Sequence, residues 1–411
     1  MYDAVIVGAG PGGATAAAVM ARRGLRPLLL DRDAFPRDKI CGDALSGKTV
    51  DVMKRLGMID ALLATSQIDS WGVTFSGPYG DEAAIPFTKA LDKPVAPGFV
   101  CDRVTFDKLV FDQAVAAGAE VWTGAVVTGL LREGERVVGV RVKRDGREEE
   151  VRAPLTVGAD GAYSVVVREL GAAGVGGMDQ LHEAHYCAGL RWYWEGVTGF
   201  HERNHIEIHF VDEAIPGYFW IFPMADGKAN VGLGMLSSIV KKKDIKLKPL
   251  LERLVEHPRF RERFAGGRPL EKIRGWGLPL GSKPRPLAGA GWMLVGDAGS
   301  LIDPFTGEGI GNAMVSAEKA ADWALRAREA GDYSAAFLDG YRRDVMAYLG
   351  DELRLSHAMQ RLGRWKWLLN KVIEKAARSP EVADAISQMF DDEEEREKLI
   401  SPLFYLRLLT A

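Results

Sequence analysis

Residues 2–13 read YDAVIVGAGPGG, and this stretch decides how the N-terminal part of the chain folds. Tyr2–Val7 is a short apolar run that ends on glycine, as in a strand that is buried on both faces. Residues 14–23 then have a helical pattern, and Leu28–Leu30 is a second buried strand that ends on Asp31. The order strand, helix, strand predicts a parallel sheet with a crossover helix.

Three glycines between this strand and this helix, Gly8, Gly10 and Gly13, have the spacing GxGxxG. There the first glycine permits a tight turn, the second lets the backbone approach a pyrophosphate, and the third lets the helix pack closely on the strand. The helix N-terminus offers free N–H groups to the phosphates. Asp31, 18 positions after Gly13, is placed to accept a hydrogen bond from a ribose. The pattern predicts a dinucleotide site but does not separate NAD from FAD.

Two segments far along the chain add to this site. Residues 158–161 read GADG, and residues 296–299 read GDAG, followed by GEGI at 307–310. A carboxylate at a strand end can bind a ribityl or ribose hydroxyl, and bare glycine N–H groups can approach a ring carbonyl. The residues expected to contact the cofactor here are Asp160, Gly296, Asp297, Gly307, Gly309 and Ile310.

Together the three glycine-rich segments resemble the flavoprotein hydroxylase superfamily, the p-hydroxybenzoate hydroxylase fold, over roughly residues 1–345. Within it the chain is similar to the geranylgeranyl reductase family, through KICGD at 39–43, CDR at 101–103 with FD at 106–107, and YFWIFP at 218–223. The resemblance implies FAD as the cofactor and hydride transfer from reduced flavin to an alkene carbon. It also implies that Arg103 contacts FAD near the pyrophosphate and ribityl chain, Asp297 the ribityl hydroxyls, and Gly309 and Ile310 the isoalloxazine.

The source of electrons is left open by the sequence. Arg32, beside Asp31, is a candidate phosphate ligand, as in NADP sites. The sequence contains no second GxGxxG unit, so we do not expect stable NADPH binding. NAD(P)H, a ferredoxin or another reductase remain alternatives for the external donor, and an electron-donor protein is therefore a candidate partner.

Cys41, Trp220 and Tyr218 are the candidate catalytic residues. The resemblance brings Cys41 and its neighbour Gly42 near the flavin and makes the thiol a candidate proton relay; a buried structural cysteine is the alternative. Strand alternation puts Tyr218, Trp220 and Phe222 on one face, where they are expected to line a long apolar cavity.

We predict an α/β fold, α+β overall, with a Rossmann-type FAD-binding domain, an antiparallel-sheet substrate domain and a helical C-terminal region. The expected domains are a discontinuous FAD-binding domain at 1–70, 98–180 and 286–345, a substrate domain at 71–97 and 181–285, and helices at 346–411. Within the substrate domain, His205, Glu207 and His209 share one strand face. Because the superfamily needs no metal, we expect no metal site there and an exposed strand face.

Charge and cysteine content exclude several classes of protein. The net charge of -3 gives no electrostatic case for a nucleic-acid partner. Three widely spaced cysteines, Cys41, Cys101 and Cys187, argue against a disulfide framework and a zinc site, and fit a cytoplasmic protein. No apolar run reaches the roughly 20 residues of a spanning helix.

One segment near the C-terminus combines basic and aromatic side chains: Arg361, Arg364, Trp365, Lys366, Trp367, Leu368, Leu369 and Lys371. We expect an amphipathic helix that covers the substrate domain. A peripheral contact with the inner face of the membrane, through which a lipid substrate enters, is the alternative. The acidic run at 391–397 is expected to be a solvated helix face.

The function expected from these features is saturation of prenyl double bonds in a lipid, quinone or pigment precursor, with a hydrophobic small molecule or lipid as substrate. Two alternatives stay open. One is an aromatic monooxygenase or halogenase on the same fold, since residues 218–223 partly resemble a tryptophan-rich halogenase motif. The other is a flavoprotein that carries electrons to a quinone.

Overall fold

The computed structural model describes residues 1–87, 93–178, 181–283 and 285–391. The strands, in chain order, are β1 (Ala4–Val7), β2 (Pro27–Leu30), β3 (Ala44–Leu45), β4 (Ile68–Ser70), β5 (Gly72–Ser76), β6 (Glu82–Pro86), β7 (Gly98–Val100), β8 (Glu120–Trp122), β9 (Val126–Glu133), β10 (Arg136–Arg144), β11 (Arg147–Arg152), β12 (Thr156–Gly158), β13 (Tyr186–Glu195), β14 (Ile206–His209), β15 (Tyr218–Pro223), β16 (Lys228–Leu236), β17 (Arg268–Pro269), β18 (Arg274–Pro279), β19 (Ala288–Gly289) and β20 (Trp292–Leu294). The α-helices are α1 (Pro11–Arg22), α2 (Gly47–Arg55), α3 (Ile59–Leu63), α4 (Arg103–Ala116), α5 (Val165–Ala172), α6 (Ser237–Lys242), α7 (Leu247–Val255), α8 (Arg261–Phe264), α9 (Ile310–Ala330), α10 (Ala335–Leu362), α11 (Lys366–Arg378) and α12 (Pro380–Asp391).

The dinucleotide-type sheet has six strands in the order β19–β20–β12–β1–β2–β8. All neighbours are parallel except β19 and β20, and α1 crosses from β1 to β2. The helix begins at Pro11, three residues before the predicted start, because proline suits the first helical position. Small buried side chains such as Ala14, Ala17, Ala317 and Ala321 let α1 and α9 pack closely on this sheet. The predicted Rossmann unit is confirmed.

The second large sheet has eight strands, with the path β17–β13–β16–β15–β14–β5–β6 and β18 beside β13. Its pairs are antiparallel except β14 with β5, which run parallel. Phe219 and Ile221 point to the side that packs beneath α7, through Leu250, Leu251 and Leu254. Trp220 and Phe222 point to the opposite side, as the alternation predicts.

The remaining strands form two three-stranded sheets, in the orders β3–β7–β4 and β11–β10–β9. The turn between β10 and β11 contains Asp145 and Gly146, both with positive φ, at +52° and +77°. A two-residue turn with positive φ at both positions matches the twist of the flanking strands. The hairpin predicted at this dipeptide is therefore present.

The C-terminal helices divide their contacts between the two large sheets. Helix α10 packs on α9 and continues without a break across residues 345 and 346, where we expected a domain boundary. The expected division into domains stays a proposal. Helix α11 packs on β6. Residues 392–397 of the acidic run lie outside the described residues. Among the residues described, no helix has both the length and the apolar composition needed to cross a bilayer.

The expectation of an exposed face at His205, Glu207 and His209 was wrong. All three are buried, at 1%, 3% and 2% exposure. Alternation correctly put them on one side of β14, but α8 and Phe260 cover that side, and the His209 and Phe260 rings lie 4.8 Å apart. The buried charge is compensated, since Arg263 of α8 pairs with the Glu207 carboxylate.

Candidate active site

A cavity of about 910 Å³ runs from the glycine turn after β1 to the front of the eight-stranded sheet. This volume is at the upper end of the range for cofactor and small-molecule sites. Both candidate sites from the sequence, the dinucleotide turn and the aromatic strand face, border this one space. A ligand bound at the first can therefore meet a ligand bound at the second.

The glycine turn has the geometry that a pyrophosphate requires. Gly8 has a φ of +97°, and a Cβ on Gly13 would lie 1.8 Å from the Gly8 carbonyl oxygen. Gly10 differs, because its added Cβ would meet only the Arg37 guanidinium, at 3.5 Å. The space beside Gly10 thus belongs to the cavity, and Gly10 is also the residue immediately before α1. The surroundings of the three glycines differ in the way that the spacing predicts, and the contact of Gly10 with a pyrophosphate stays a prediction.

Asp31 borders the cavity at the end of β2. Its carboxylate accepts hydrogen bonds from the N–H groups of Ala9, at 2.7 Å, and Asp33, at 2.9 Å. Burial raises the pKa of this carboxyl, and the two N–H groups oppose that rise. Arg32 lies on the rim of the same cavity with a mostly exposed side chain, at 67%. The structure brings both predicted residues to the glycine end.

Asp160 borders the cavity, but its carboxylate turns away to the start of α5. It accepts hydrogen bonds from the Ser164 hydroxyl, at 2.5 Å, and from the Val165 N–H, at 2.6 Å. Its neighbour Ala159 packs against Gly8, whose added Cβ would lie 2.5 Å from the Ala159 carbonyl oxygen. Asp160 therefore shapes the turn beside the glycines through the backbone.

The second glycine segment surrounds the middle of the cavity, through Gly296, Asp297, Gly307, Gly309 and Ile310. Gly307 has a φ of +77°, and Gly309 is the residue before α9, so the free N–H groups of this helix start beside the cavity. Asp297 is half-buried, and desolvation raises the pKa of its carboxyl, while Lys39 and Arg103 oppose the rise. A carboxylate beside helix N–H groups suits a hydroxylated chain and a ring carbonyl.

A cluster of cations lies across the cavity from Asp297. Arg103 and Arg37 both bond to the fully buried carboxylate of Asp107. Lys39 lies over the Trp276 ring, with its ammonium 3.8 Å from the ring centre. Burial and Arg103 lower the pKa of Lys39 to about 8, and Asp297 opposes this.

Sequence reasoning gave Arg37, Lys39 and Asp107 no role of their own. Lys39 and Asp107 lie inside the family-like stretches at 39–43 and 106–107, which could have identified them. Arg37 lies in no such stretch. With the open space at Gly10 and the carboxylate of Asp297, this cationic cluster fits the pyrophosphate and ribityl chain of FAD.

Cys41 and Gly42 lie on the loop between β2 and β3, against the front of the eight-stranded sheet. A Cβ on Gly42 would lie 3.2 Å from the Phe222 ring, so the loop and the ring are in close contact. The Cys41 thiol is half-buried, and burial raises its pKa while Arg103 opposes the rise. Asn230 donates a hydrogen bond of 2.8 Å to the Cys41 carbonyl oxygen and accepts one of 2.9 Å from the Trp220 indole.

The apolar end of the cavity begins at this loop. Tyr218, Trp220 and Phe222 all border it, which confirms the shared face predicted for them. Burial raises the pKa of Tyr218, whose hydroxyl donates a hydrogen bond of 2.5 Å to the Thr306 carbonyl oxygen. Strand β15 is thereby attached to the loop before Gly307. Other apolar side chains that line this end are Cys187, Ile206, Ile208, Leu278 and Phe305.

Helix α10 supports the same loops from behind. Gln360 donates a hydrogen bond of 2.6 Å to the Pro304 carbonyl oxygen. Lys48 of α2 pairs with Glu352 of α10 at 2.9 Å. The start of the C-terminal region therefore contributes to the walls of the site and is not a separate appendage.

Comparison with known proteins identifies the family to which this chain belongs. The family model of the FAD binding domain matches residues 1–231. The chain is 31% identical over 349 residues to a digeranylgeranylglycerophospholipid reductase of Thermoplasma volcanium, covering 84% of this chain and 83% of that protein. It is 33% identical over 328 residues to a menaquinone reductase of Mycobacterium tuberculosis, covering 78% and 76% of the two chains.

Solved structures agree on the fold. A geranylgeranyl bacteriochlorophyll reductase-like protein of Thermoplasma acidophilum superposes with a TM-score of 0.83 at 27% identity, over 97% of this chain and 99% of that one. A flavin-dependent brominase superposes with a TM-score of 0.80, over 100% and 98% of the chains. At 22% identity, that second likeness shows the fold alone. The chain belongs to the FAD binding domain family and, within it, to the geranylgeranyl reductase family of FAD-dependent oxidoreductases.

Proposed function

We propose that this protein saturates carbon–carbon double bonds in a prenyl chain of the geranylgeranyl type, carried by a lipid, a quinone or a pigment precursor. The observation that carries the proposal is the continuity of the cavity. Its apolar wall of Tyr218, Trp220 and Phe222 contacts the Cys41 loop through Phe222 and the Gly307 loop through Tyr218. The names of the two relatives, one acting on a prenylated phospholipid and one on menaquinone, support a substrate with a prenyl chain.

FAD, when bound and reduced, supplies the hydride in this reaction. An isolated prenyl double bond has no carbonyl on which charge could be stabilised, so the chain's own residues act by positioning and by excluding water. Trp220 and Phe222 provide the apolar surface for the alkene. The Cys41 thiol borders the same cavity, burial raises its pKa, and we assign it as the proton source for the second alkene carbon.

The test is an anaerobic single turnover. Holoenzyme reduced with dithionite is mixed, without oxygen, with digeranylgeranylglycerophospholipid, and separately with menaquinone. We expect the oxidised flavin absorbance to return while the lipid gains one H₂ for each saturated bond, read by mass spectrometry. If reduced flavin persists with both substrates, the proposed function is wrong.

The same experiment addresses the alternatives. A monooxygenase or halogenase on this fold needs oxygen and an aromatic acceptor, with bromide or chloride for halogenation, and turns over only when air is admitted. An electron carrier would reoxidise its flavin with menaquinone but leave every prenyl double bond intact, because electrons then go to the quinone ring.

We propose further that the protein contacts a lipid surface through the turn between α10 and α11. Trp365 and Trp367 are exposed at 58% and 55%, and Leu362 at 49%, beside the basic side chains of this segment. Aromatic and basic side chains together favour an anionic membrane surface. The other side of α11 packs on the eight-stranded sheet through Ile373. The helix can therefore cover this sheet with one side and contact a membrane with the other.

A further inference from the structure

Asp43 lies two residues after Cys41, and its side chain is fully buried, at 0% exposure. One carboxylate oxygen, Oδ2, accepts hydrogen bonds from the Tyr193 hydroxyl, at 2.5 Å, and from the Asn230 amide, at 2.8 Å. The other oxygen, Oδ1, is buried without a hydrogen-bond partner in the part of the chain that the structure describes. A buried carboxyl of this kind can carry a proton on its unpaired oxygen.

The Asp43 carboxyl and the Cys41 backbone are held by the same group. The Asn230 amide nitrogen that bonds to Asp43 Oδ2 also donates to the Cys41 carbonyl oxygen, again at 2.8 Å. Asp43 has a φ of +66°, a left-handed conformation that fixes the turn after Gly42. The Cys41 backbone and the Asp43 carboxyl therefore keep a fixed relative position.

Charged and titratable groups face Asp43 from three directions. They are Arg103 from α4, Tyr193 and Arg191 from β13, and Cys41 and Cys101 from the chain segments next to it. Burial raises the pKa of Asp43 to about 7, while Tyr193, Asn230 and the two arginines oppose the rise. Near neutral pH this carboxyl exists in both forms. Burial raises the pKa of the Cys41 thiol, Arg103 opposes that rise, and the negative form of Asp43 adds to it.

We propose that Asp43 is a positioning residue that acts together with burial to keep the Cys41 thiol protonated, so that the thiol can deliver its proton inside the cavity. In the reduction, one alkene carbon takes the hydride and the other takes the thiol proton; the thiolate that remains then recovers a proton from solvent. The proton-delivery step rests on the proposed function. The coupling between carboxyl and thiol does not, because it is a property of the two groups in the protein itself.

The test measures the reactivity of Cys41 in the holoenzyme without any substrate. The alkylation rate of Cys41 by iodoacetamide is followed against pH, with the modified peptide identified by mass spectrometry, because only the thiolate reacts. Asp43→Asn removes the charge and keeps the shape. Tyr193→Phe removes one hydrogen bond to the charged form, so that Asp43 holds its proton to higher pH. Asp38→Asn is the matched control, because Asp38 binds Arg191 at the outer end of the same network.

We expect Asp43→Asn to move the alkylation profile to lower pH. Below the pKa of the thiol, the rate should then be about tenfold higher for each pH unit by which the profile moves. Tyr193→Phe should move it the same way by less, and Asp38→Asn should leave it in place. A wild-type profile in Asp43→Asn overturns the proposal, as does an equal displacement in Asp38→Asn. If Asp43→Asn loses FAD or does not fold, the alkylation profile of Tyr193→Phe is the test, and a wild-type profile in that variant overturns the proposal. A negative anaerobic turnover would leave this result unaffected.

Discussion

The Arg103 guanidinium makes two hydrogen bonds, of 2.5 and 2.9 Å, to the carboxylate of Asp107 one turn further along α4. Arg37 donates to the same carboxylate at 2.6 Å, and the Asp107 side chain is fully buried. One carboxylate thus balances and orients two cations that border the cavity. We propose that Asp107 thereby holds a positively charged wall in place for the pyrophosphate of FAD.

Asp107→Asn should therefore weaken FAD binding and destabilise the protein together. Leaving buried cations without their counter-charge costs about 3–5 kcal/mol. FAD fluorescence titration and urea unfolding measure the two effects. Asp112→Asn is the control on the same helix, because its pair with Lys108 is exposed and should change neither quantity. Equal behaviour of the two variants would refute the role of Asp107.

Gly10 and Gly13 should separate cofactor binding from folding. A Cβ at Gly10 contacts only Arg37, so Gly10→Ala should fold as the wild type does yet lose FAD, because the methyl group occupies the pyrophosphate space. A Cβ at Gly13 overlaps the Gly8 carbonyl, so Gly13→Ala should be unstable even without cofactor. Thermal unfolding of the apoproteins and FAD titration measure the difference. Retention of FAD by a folded Gly10→Ala protein would contradict this assignment.

FAD affinity should fall as the pH rises through the pKa of Lys39, which burial lowers to about 8. The phosphates favour the charged ammonium, so binding is strongest below that pKa. Above it the neutral amine must first take up a proton, and affinity drops up to about tenfold per pH unit. FAD titrations across this range check the slope. Lys39→Met should bind more weakly with a flat profile; a sloping profile would assign the titration to another group.

Cys41→Ala should suppress turnover while leaving FAD bound. The variant removes the thiol proton and little volume, so the expected loss is in flavin reoxidation by the prenyl substrate in the anaerobic assay. General acid groups contribute about 10²–10⁴-fold to rates. Cys187→Ala is the matched control, because Cys187 borders the same cavity from the sheet. An unchanged single turnover in Cys41→Ala would exclude a catalytic thiol.

Replacing Trp365 and Trp367 by alanine should reduce sedimentation with phosphatidylglycerol vesicles and leave turnover of a detergent-dispersed substrate unchanged. Both side chains are exposed, so little packing is lost. Leu270→Ala is the control, an exposed apolar side chain that follows β17. If the wild-type protein does not sediment with anionic vesicles, the membrane contact is wrong.

Local signals in the sequence were enough to predict much of the cofactor half. The glycine spacing, the buried strands and the carboxylate after β2 depend on neighbours within about 30 residues, as in any βαβ unit. The shared face of Tyr218, Trp220 and Phe222 follows from strand periodicity alone. The structure shows each of these features as predicted.

The network behind Cys41 could not be predicted in this way. Asn230 reaches Asp43 and Tyr193 only because β13 and β16 pair with Tyr193 opposite Asn230. This pairing register relates two separate segments, so the residue pattern within either segment cannot predict it. The error at His205 has a similar cause, since alternation assigns side chains to faces but not the element that covers each face.

Helix α10 holds the loop before Gly307 through Gln360, whereas α11 lies on the substrate sheet. Chimeras that exchange C-terminal segments between relatives, to transfer preference from one lipid to another, therefore have a natural junction at Gly363, between these two helices. A junction at residue 346 would cut one helix into parts of different ancestry. Such a hybrid would confuse a change of lipid preference with damage to the flavin pocket.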